Sequence, residues 1–167
     1  MERPAWAPRS IDISVPSVSR IYDFYLGGSH NFEVDREAAR RAMEFLPGLP
    51  KIMQANRAFM RRAVRFAAQE GIDQFLDIGS GIPTVGNVHE VARAARPGAR
   101  VVYVDHDPVA VAHSQAVLEG AEDADVVAAD LLKPQDILAS PQGERLIDLN
   151  RPVALLLVAI LHFVEDA

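Results

Sequence analysis

The chain has no cysteine and only one tryptophan among its 167 residues. Without thiols there are neither disulfides nor thiolate zinc sites, which fits a reducing compartment. Its 5 histidines are scattered, with no short ligand spacing, so no metal site is expected. Long apolar runs are also missing. The longest, Val153 to Leu161, is far too short to cross a bilayer, and Met1 to Arg9 lacks the apolar region of a signal peptide. Cations are in deficit, 17 basic against 23 acidic residues, so a net charge of −6 gives no general attraction to nucleic acid or anionic membranes. These absences predict a soluble, cytoplasmic protein with no nucleic-acid or membrane partner.

What is present is a hydrophobic fraction of 49%, enough to bury one substantial core. Residues 1–71 read as an N-terminal arm and helical cap, and residues 72–167 as an alternating strand and helix portion of the same compact domain. Pro4, Pro8 and Pro16 keep the arm extended. Ser17 is a candidate helix cap before Val18, Ile21, Tyr22 and Tyr25, and Gly27-Gly28 stop that helix. A second helix is expected from about Asp35. A third is expected from Pro50, with Ile52, Ala55, Phe59, Ala63 and Phe66 on its inner stripe.

Beyond Gly71 the period changes. Apolar runs at Phe75 to Ile78, Val101 to Val104, Val126 to Ala129 and Val153 to Leu161 alternate with helical stretches, the pattern of parallel strands joined by crossover helices. The first crossover helix carries Val85, Val88, Val91, Ala92 and Ala95. The second is capped by Asp107 with Pro108 in its first turn, and a third lies between Pro134 and Leu149.

The first strand runs into Gly79-Ser80-Gly81, whose glycines supply backbone freedom and a bare surface ahead of a helix N-terminus. A tight strand-to-helix connection would need the same glycines. The dinucleotide fingerprint, however, asks for a third glycine where Thr84 stands, and Asp77 repels a phosphate while suiting an ammonium or sulfonium. S-adenosylmethionine carries both cations and no phosphate. Asp77, Asp105 and Asp130 end successive strands, one strand-helix unit apart, and ligands of open parallel sheets sit at those ends. Taken singly each could be a helix cap or a solvated strand end. Together, Asp105 suits vicinal ribose hydroxyls, Asp130 an adenine amine, and His106 and Leu131 the faces or edge of the base.

Leu76-Asp77-Ile78-Gly79-Ser80-Gly81, Val104-Asp105 and Ala129-Asp130-Leu131 resemble the first three motifs of the class I S-adenosylmethionine-dependent methyltransferases, in order and spacing. The run from Ser19 to Phe32, then Asp35-Arg36, Asn56-Arg57-Ala58-Phe59, Gly86 to Val91 and Leu161-His162-Phe163-Val164 resembles one bacterial family of such enzymes, so the likeness covers essentially the whole chain. It implies an α/β, Rossmann-like parallel sheet of order 3-2-1-4 preceded by a helical segment, S-adenosylmethionine as cofactor, and methyl transfer to an acceptor. It also implies that Gly79 and Gly81 pass beneath the methionine portion, that Asp77 holds its ammonium, Asp105 the ribose and Asp130 the adenine amine. The fourth strand lacks the Asn/Asp-Pro-Pro-Tyr ending of amino-group methylating relatives, which favours a small-molecule acceptor.

The superfamily's sheet has about seven strands, so a chain of four is expected to be a truncated copy whose very apolar edge, residues 153–161, invites a homodimer or pairing with another chain. For a hydroxyl acceptor, His162, His30 or Tyr25 could provide or orient a base, although a structural histidine and a core tyrosine are the competing accounts. Arg57 could pair the cofactor carboxylate, against a solvated or salt-bridged helix residue. Rival functions are a truncated, non-catalytic cofactor-binding protein or partner of a full-length relative, a nicotinamide-dependent oxidoreductase, and a magnesium-dependent phosphotransfer domain using the three aspartates.

Overall fold

A computed structural model describes residues 11–83 and 86–164; the expectations for Pro4, Pro8, Thr84 and Val85 lie outside the described residues. Three helices come first, α1 (Val18–Tyr25), α2 (Glu33–Phe45) and α3 (Leu49–Gln69). They are followed by β1 (Gln74–Ile78), α4 (Val88–Ala95), β2 (Arg100–Asp105), α5 (Pro108–Val117) and β3 (Ala124–Ala128). The chain continues through α6 (Pro134–Leu138), α7 (Pro141–Leu146), β4 (Ala154–Leu156) and a 3-10 turn, Leu161–Phe163. The strands form one parallel sheet in the order β3-β2-β1-β4, the expected order, with Leu76 of β1 beside Val102 of β2 and Leu155 of β4.

Alternation along the strands builds two apolar layers. Phe75, Val101, Tyr103 and Val126 face Met60, Val64 and Ala68 of α3, Val88 and Ala92 of α4, and Val111 of α5. Leu76, Ile78, Val102, Val104 and Val127 face Ile137 of α6 and Leu146 of α7 on the opposite side. The helical cap thus shares its core with the sheet. Asp107 caps α5 as the sequence suggests, whereas Ser17 precedes α1 but its side chain makes no cap hydrogen bond there. The Asp107 carboxylate accepts the Val109 N–H at 2.7 Å, and the Ser140 hydroxyl accepts the Gly143 N–H at 2.9 Å.

Three expectations need correction. Strand β4 is far shorter than 153–161: Ala159 takes φ 57°, a left-handed conformation that ends the extended run and turns Ile160 back over the sheet. The expected edge is thereby reduced to three residues, of which Leu155 is exposed. In α3 the inward stripe is Met60, Val64 and Ala68, while Ile52, Phe59 and Phe66 are exposed. Both stripes have helical spacing, and the one of Met60, Val64 and Ala68 is the one that joins the core with Val88 and Ala92 of α4. In α1 the buried residues are Arg20, Asp23 and Tyr25, so two charged side chains take places that apolar periodicity assigned to Val18 and Ile21.

Candidate functional site

A cavity of about 370 Å³ opens at the C-terminal ends of β1 and β2, roofed by α1 and α3 and closed at one side by residues 158–163. Its floor is the turn Gly79-Ser80-Gly81. Gly79 (φ 73°) and Gly81 (φ 68°) adopt conformations that L side chains rarely take. The N–H groups of Gly79 and Ser80 donate to the Val104 carbonyl at 2.8 and 3.1 Å, bending the turn back across β2. A Cβ on Gly79 would stand 2.7 Å from the Ile160 side chain, whereas one on Gly81 would meet nothing. The turn is therefore packed on one side and bare on the other.

Of the four aspartates in the cavity lining, Asp77 and Asp105 stand at the ends of β1 and β2. Asp105 accepts the Gly81 N–H and the Asp107 N–H, each at 2.8 Å, so it pins the glycine turn to the start of α5. Burial nevertheless raises its pKa, against those two hydrogen bonds. Asp77 is 6% exposed and receives no hydrogen bond from the described residues. Burial pushes its pKa up to about 7, opposed by the charge of Arg57 and reinforced by that of Asp105. An unsupported carboxylate at the floor of a cavity is an acceptor for a cation.

The roof is held by a buried charge network that apolar periodicity did not reveal. Arg20 Nε donates to Asp35 at 2.9 Å, its Nη2 donates to the Val15 carbonyl at 2.6 Å, and its Nη1 lies 3.7 Å from Asp107. Asp35 also accepts the N–H groups of Ser17 and Phe32, and the Ser17 hydroxyl donates to Asp107. One cation and two carboxylates thus tie α1 to α2 and to the head of α5. Next to them Asp23, which lines the cavity, accepts the His30 N–H and the Asn31 side-chain amide, both at 2.9 Å.

Of the sequence-predicted site residues, Asp77, Gly79, Gly81, Asp105 and His106 line the cavity together. Asp130 and Leu131 do not. Asp130 is exposed and its Oδ1 accepts the Leu132 N–H at 2.9 Å, closing its own turn, and Leu131 packs against the apolar layer beneath α6 and α7. The candidate bases are also absent from the lining. The Tyr25 hydroxyl donates to the Ala39 carbonyl at 3.2 Å in the core, the His30 ring meets that of His113 at a tilt with centroids 3.9 Å apart, and His162 is exposed beside Phe163. Sequence reasoning missed Asp23 and Asn56 as lining residues, read Tyr22 as core packing on a helix stripe, and weighed Arg57 between the cofactor carboxylate and a solvated or salt-bridged helix residue. The available signal was polar residues on an otherwise apolar helix stripe.

A sequence profile described as S-adenosyl methyltransferase matches residues 4–167. Among solved structures, the chain is similar to a candidate methyltransferase from Thermobifida fusca, with 47% identity and a TM-score of 0.93 over 97% of this chain and 61% of that one. It is also similar to a DUF574 family protein from Streptomyces avermitilis, with 46% identity and a TM-score of 0.87 over 93% of this chain and 60% of that one. The chain therefore spans about three fifths of the length of those two proteins. No curated protein matches it. With a glycine turn flanked by two buried carboxylates, a sheet of matching order and a profile spanning nearly its whole length, the chain belongs to the S-adenosyl methyltransferase family, which makes S-adenosylmethionine the implied cofactor.

Proposed function

We propose that the cavity binds S-adenosylmethionine and that the protein transfers its methyl group to a small-molecule acceptor. The observation that carries this reading is the Asp77 carboxylate, buried at the cavity floor without a donor among the described residues, beside the bare face of Gly81. Such a group favours a cationic ligand over a phosphate. When bound, the cofactor supplies a methyl group activated by a sulfonium. Asp77 holds the ammonium. The turn Gly79 to Gly81 lets the methionine portion lie against the backbone. Asp105 keeps a second lone pair on each oxygen after its two backbone hydrogen bonds, and these accept vicinal ribose hydroxyls. His106 stands beside the base. Helices α1 and α3 cover the site, so the protein's contribution is alignment and exclusion of water, worth up to roughly 7–11 kcal/mol in favourable cases.

The test is calorimetric titration with S-adenosylmethionine, S-adenosylhomocysteine and NAD on the native protein, on Asp105→Ala and on Asp105→Asn. Binding of the first two ligands, lost or at least tenfold weaker in both variants, is expected. Preference for NAD, or equal affinity in all three proteins, would overturn the assignment. Incubating the protein and a methyl-labelled donor with a cell extract then separates acceptors: label in the low-molecular-mass fraction is expected, and label in protein or nucleic acid would contradict a small acceptor.

A further inference from the structure

Val18, Tyr22 and Leu26 stand four residues apart along α1 and its C-terminal cap, and all three line the cavity, so one stripe of the roof faces it. At the side, the chain returning from β4 brings Val158, Ile160 and Phe163 into the same lining. Ile160 lies against the glycine turn, where a Cβ on Gly79 would stand 2.7 Å from its side chain. The space between the stripe and the returning chain therefore opens above the turn on which the proposed cofactor lays its methionine portion. Two of these residues, Phe163 at 51% and Val18 at 44% exposure, are large apolar side chains left uncovered by the described residues. They stand at the mouth of a cavity, where a ligand can cover them, rather than scattered over the surface.

The polar groups nearest these walls are engaged within the protein. The Asn56 side-chain amide donates to the Tyr22 hydroxyl at 2.9 Å, and that hydroxyl donates to the Met53 carbonyl at 3.3 Å, so Tyr22 spends its proton on α3. Arg57 stands over the Tyr22 ring, 5.9 Å from its centre, while its Nη2 donates to the Ile82 carbonyl at 3.3 Å. Asp23 turns its carboxylate to the His30 N–H and the Asn31 amide of the loop after α1. What the stripe and the returning chain offer a second ligand is thus hydrocarbon and the rings of Tyr22 and Phe163.

We infer that the space between the α1 stripe and residues 158–163 is the acceptor subsite, and that it takes a neutral aromatic molecule. This rests on the methyl-donor reading of the cavity and names the class of its acceptor. A charged acceptor would give up its hydration against walls that supply neither a counter-ion nor a hydrogen bond. An aromatic one gains by covering Tyr22, Ile160 and Phe163. In the transfer, the methyl carbon leaves sulfur for the nucleophilic atom of the acceptor and the C–S electron pair stays on sulfur as a thioether. The acceptor's proton passes to water at the rim. The two walls hold the ring in line with the reacting bond, which is where alignment contributes most.

The experiment titrates the protein, saturated with S-adenosylhomocysteine, with three phenols of similar size: neutral thymol, cationic tyramine and anionic phloretate. Thymol is expected to bind at least about tenfold more tightly than either charged phenol. Leu26→Ser and Phe163→Ser should each weaken thymol about fivefold or more, and Phe163→Tyr, which keeps the ring, should stay within about twofold of the native protein. Affinity for S-adenosylhomocysteine within about twofold of native certifies a folded cofactor site in every variant. Equal or tighter binding of a charged phenol overturns the neutral class. Thymol binding untouched by Leu26→Ser and Phe163→Ser, or thymol that displaces S-adenosylhomocysteine, overturns the location. A native protein that binds S-adenosylhomocysteine but no thymol removes the acceptor class alone, and one that binds neither removes the methyl-donor reading with it.

Discussion

Asp77 illustrates how one residue trades stability for binding. Its pKa is pushed up to about 7, far above the ordinary 3.8, chiefly because burial disfavours its charge. Between those two values the folded state holds a proton that the unfolded state has released, so stability falls as pH rises from about 4 to about 7 and levels off above it. Asp77→Asn removes this penalty. The variant should therefore unfold at higher urea than the native protein at pH 8, with the difference shrinking towards pH 4, while losing affinity for S-adenosylmethionine. A native protein with equal midpoints at pH 5 and pH 8 relative to the variant would contradict the shift. Ligand binding carries the opposite sign: the cofactor's ammonium favours the ionised carboxylate, so affinity should rise between pH 6 and pH 7.5. Proton release should appear as a calorimetric heat that depends on the buffer. Arg20 is a second case. It is 4% exposed between Asp35 and Asp107, and Arg20→Met leaves two buried carboxylates without their cation. A loss of about 3–5 kcal/mol is expected by urea unfolding, far beyond what an exposed pair is worth.

At the scale of elements, the site is made by what the chain does just after each strand. The turn after β1 needs left-handed backbone at Gly79 and Gly81, and the turn after β4 uses Ala159 in the same region to bring Ile160 onto Gly79. Gly79→Ala should cost about 1–3 kcal/mol of stability from backbone strain and the Ile160 contact, and should weaken cofactor binding. Adding Ile160→Ala removes the collision but not the strained φ, so the double variant should recover part of the affinity. Full recovery, or none, in a paired titration would refute this division. Strand β1 is the element on which the rest is built, because it pairs on both sides and all five of its residues are buried. Phe75→Ala, at a fully buried position of the layer under α3 and α4, should cost about 3–5 kcal/mol in a denaturant series.

For the whole molecule, the cap and the sheet enclose the cavity between them, and a ligand seated there stabilises both. At a hundredfold excess over its dissociation constant S-adenosylhomocysteine should add about 2.7 kcal/mol, a rise in Tm of roughly 5–10 °C for a chain of this size. NAD should produce none. An unmoved Tm with S-adenosylhomocysteine at millimolar concentration would count against a site shared by cap and sheet. The apolar edge expected over residues 153–161 is curtailed for the same architectural reason, since the chain beyond Leu156 turns in to wall the cavity and leaves Leu155 as the exposed apolar residue of β4.

The order of elements and the glycine turn with Asp77 and Asp105 were legible in the residues themselves, because they depend on features local in the chain: a period change from helix to strand, a proline after a capping aspartate, a carboxylate at a strand end; the order of strands across the sheet followed only from the family resemblance. Which face of α1 and α3 turns inward was not. Two stripes of α3 have equal helical spacing, and only packing against α4 and the sheet chose Met60, Val64 and Ala68 over Phe59 and Phe66. The buried cation of Arg20 escaped for the same reason: a charge is buried when partners distant in sequence come to meet it, and no window of the chain contains Asp35, Asp107 and Arg20 together. Asp130 is the converse case, a strand-end carboxylate that matches the pattern but is turned by its own loop to cap Leu132. Local sequence determined where a ligand can approach this fold, and the long-range assembly of the cap on the sheet decided which side chains meet it.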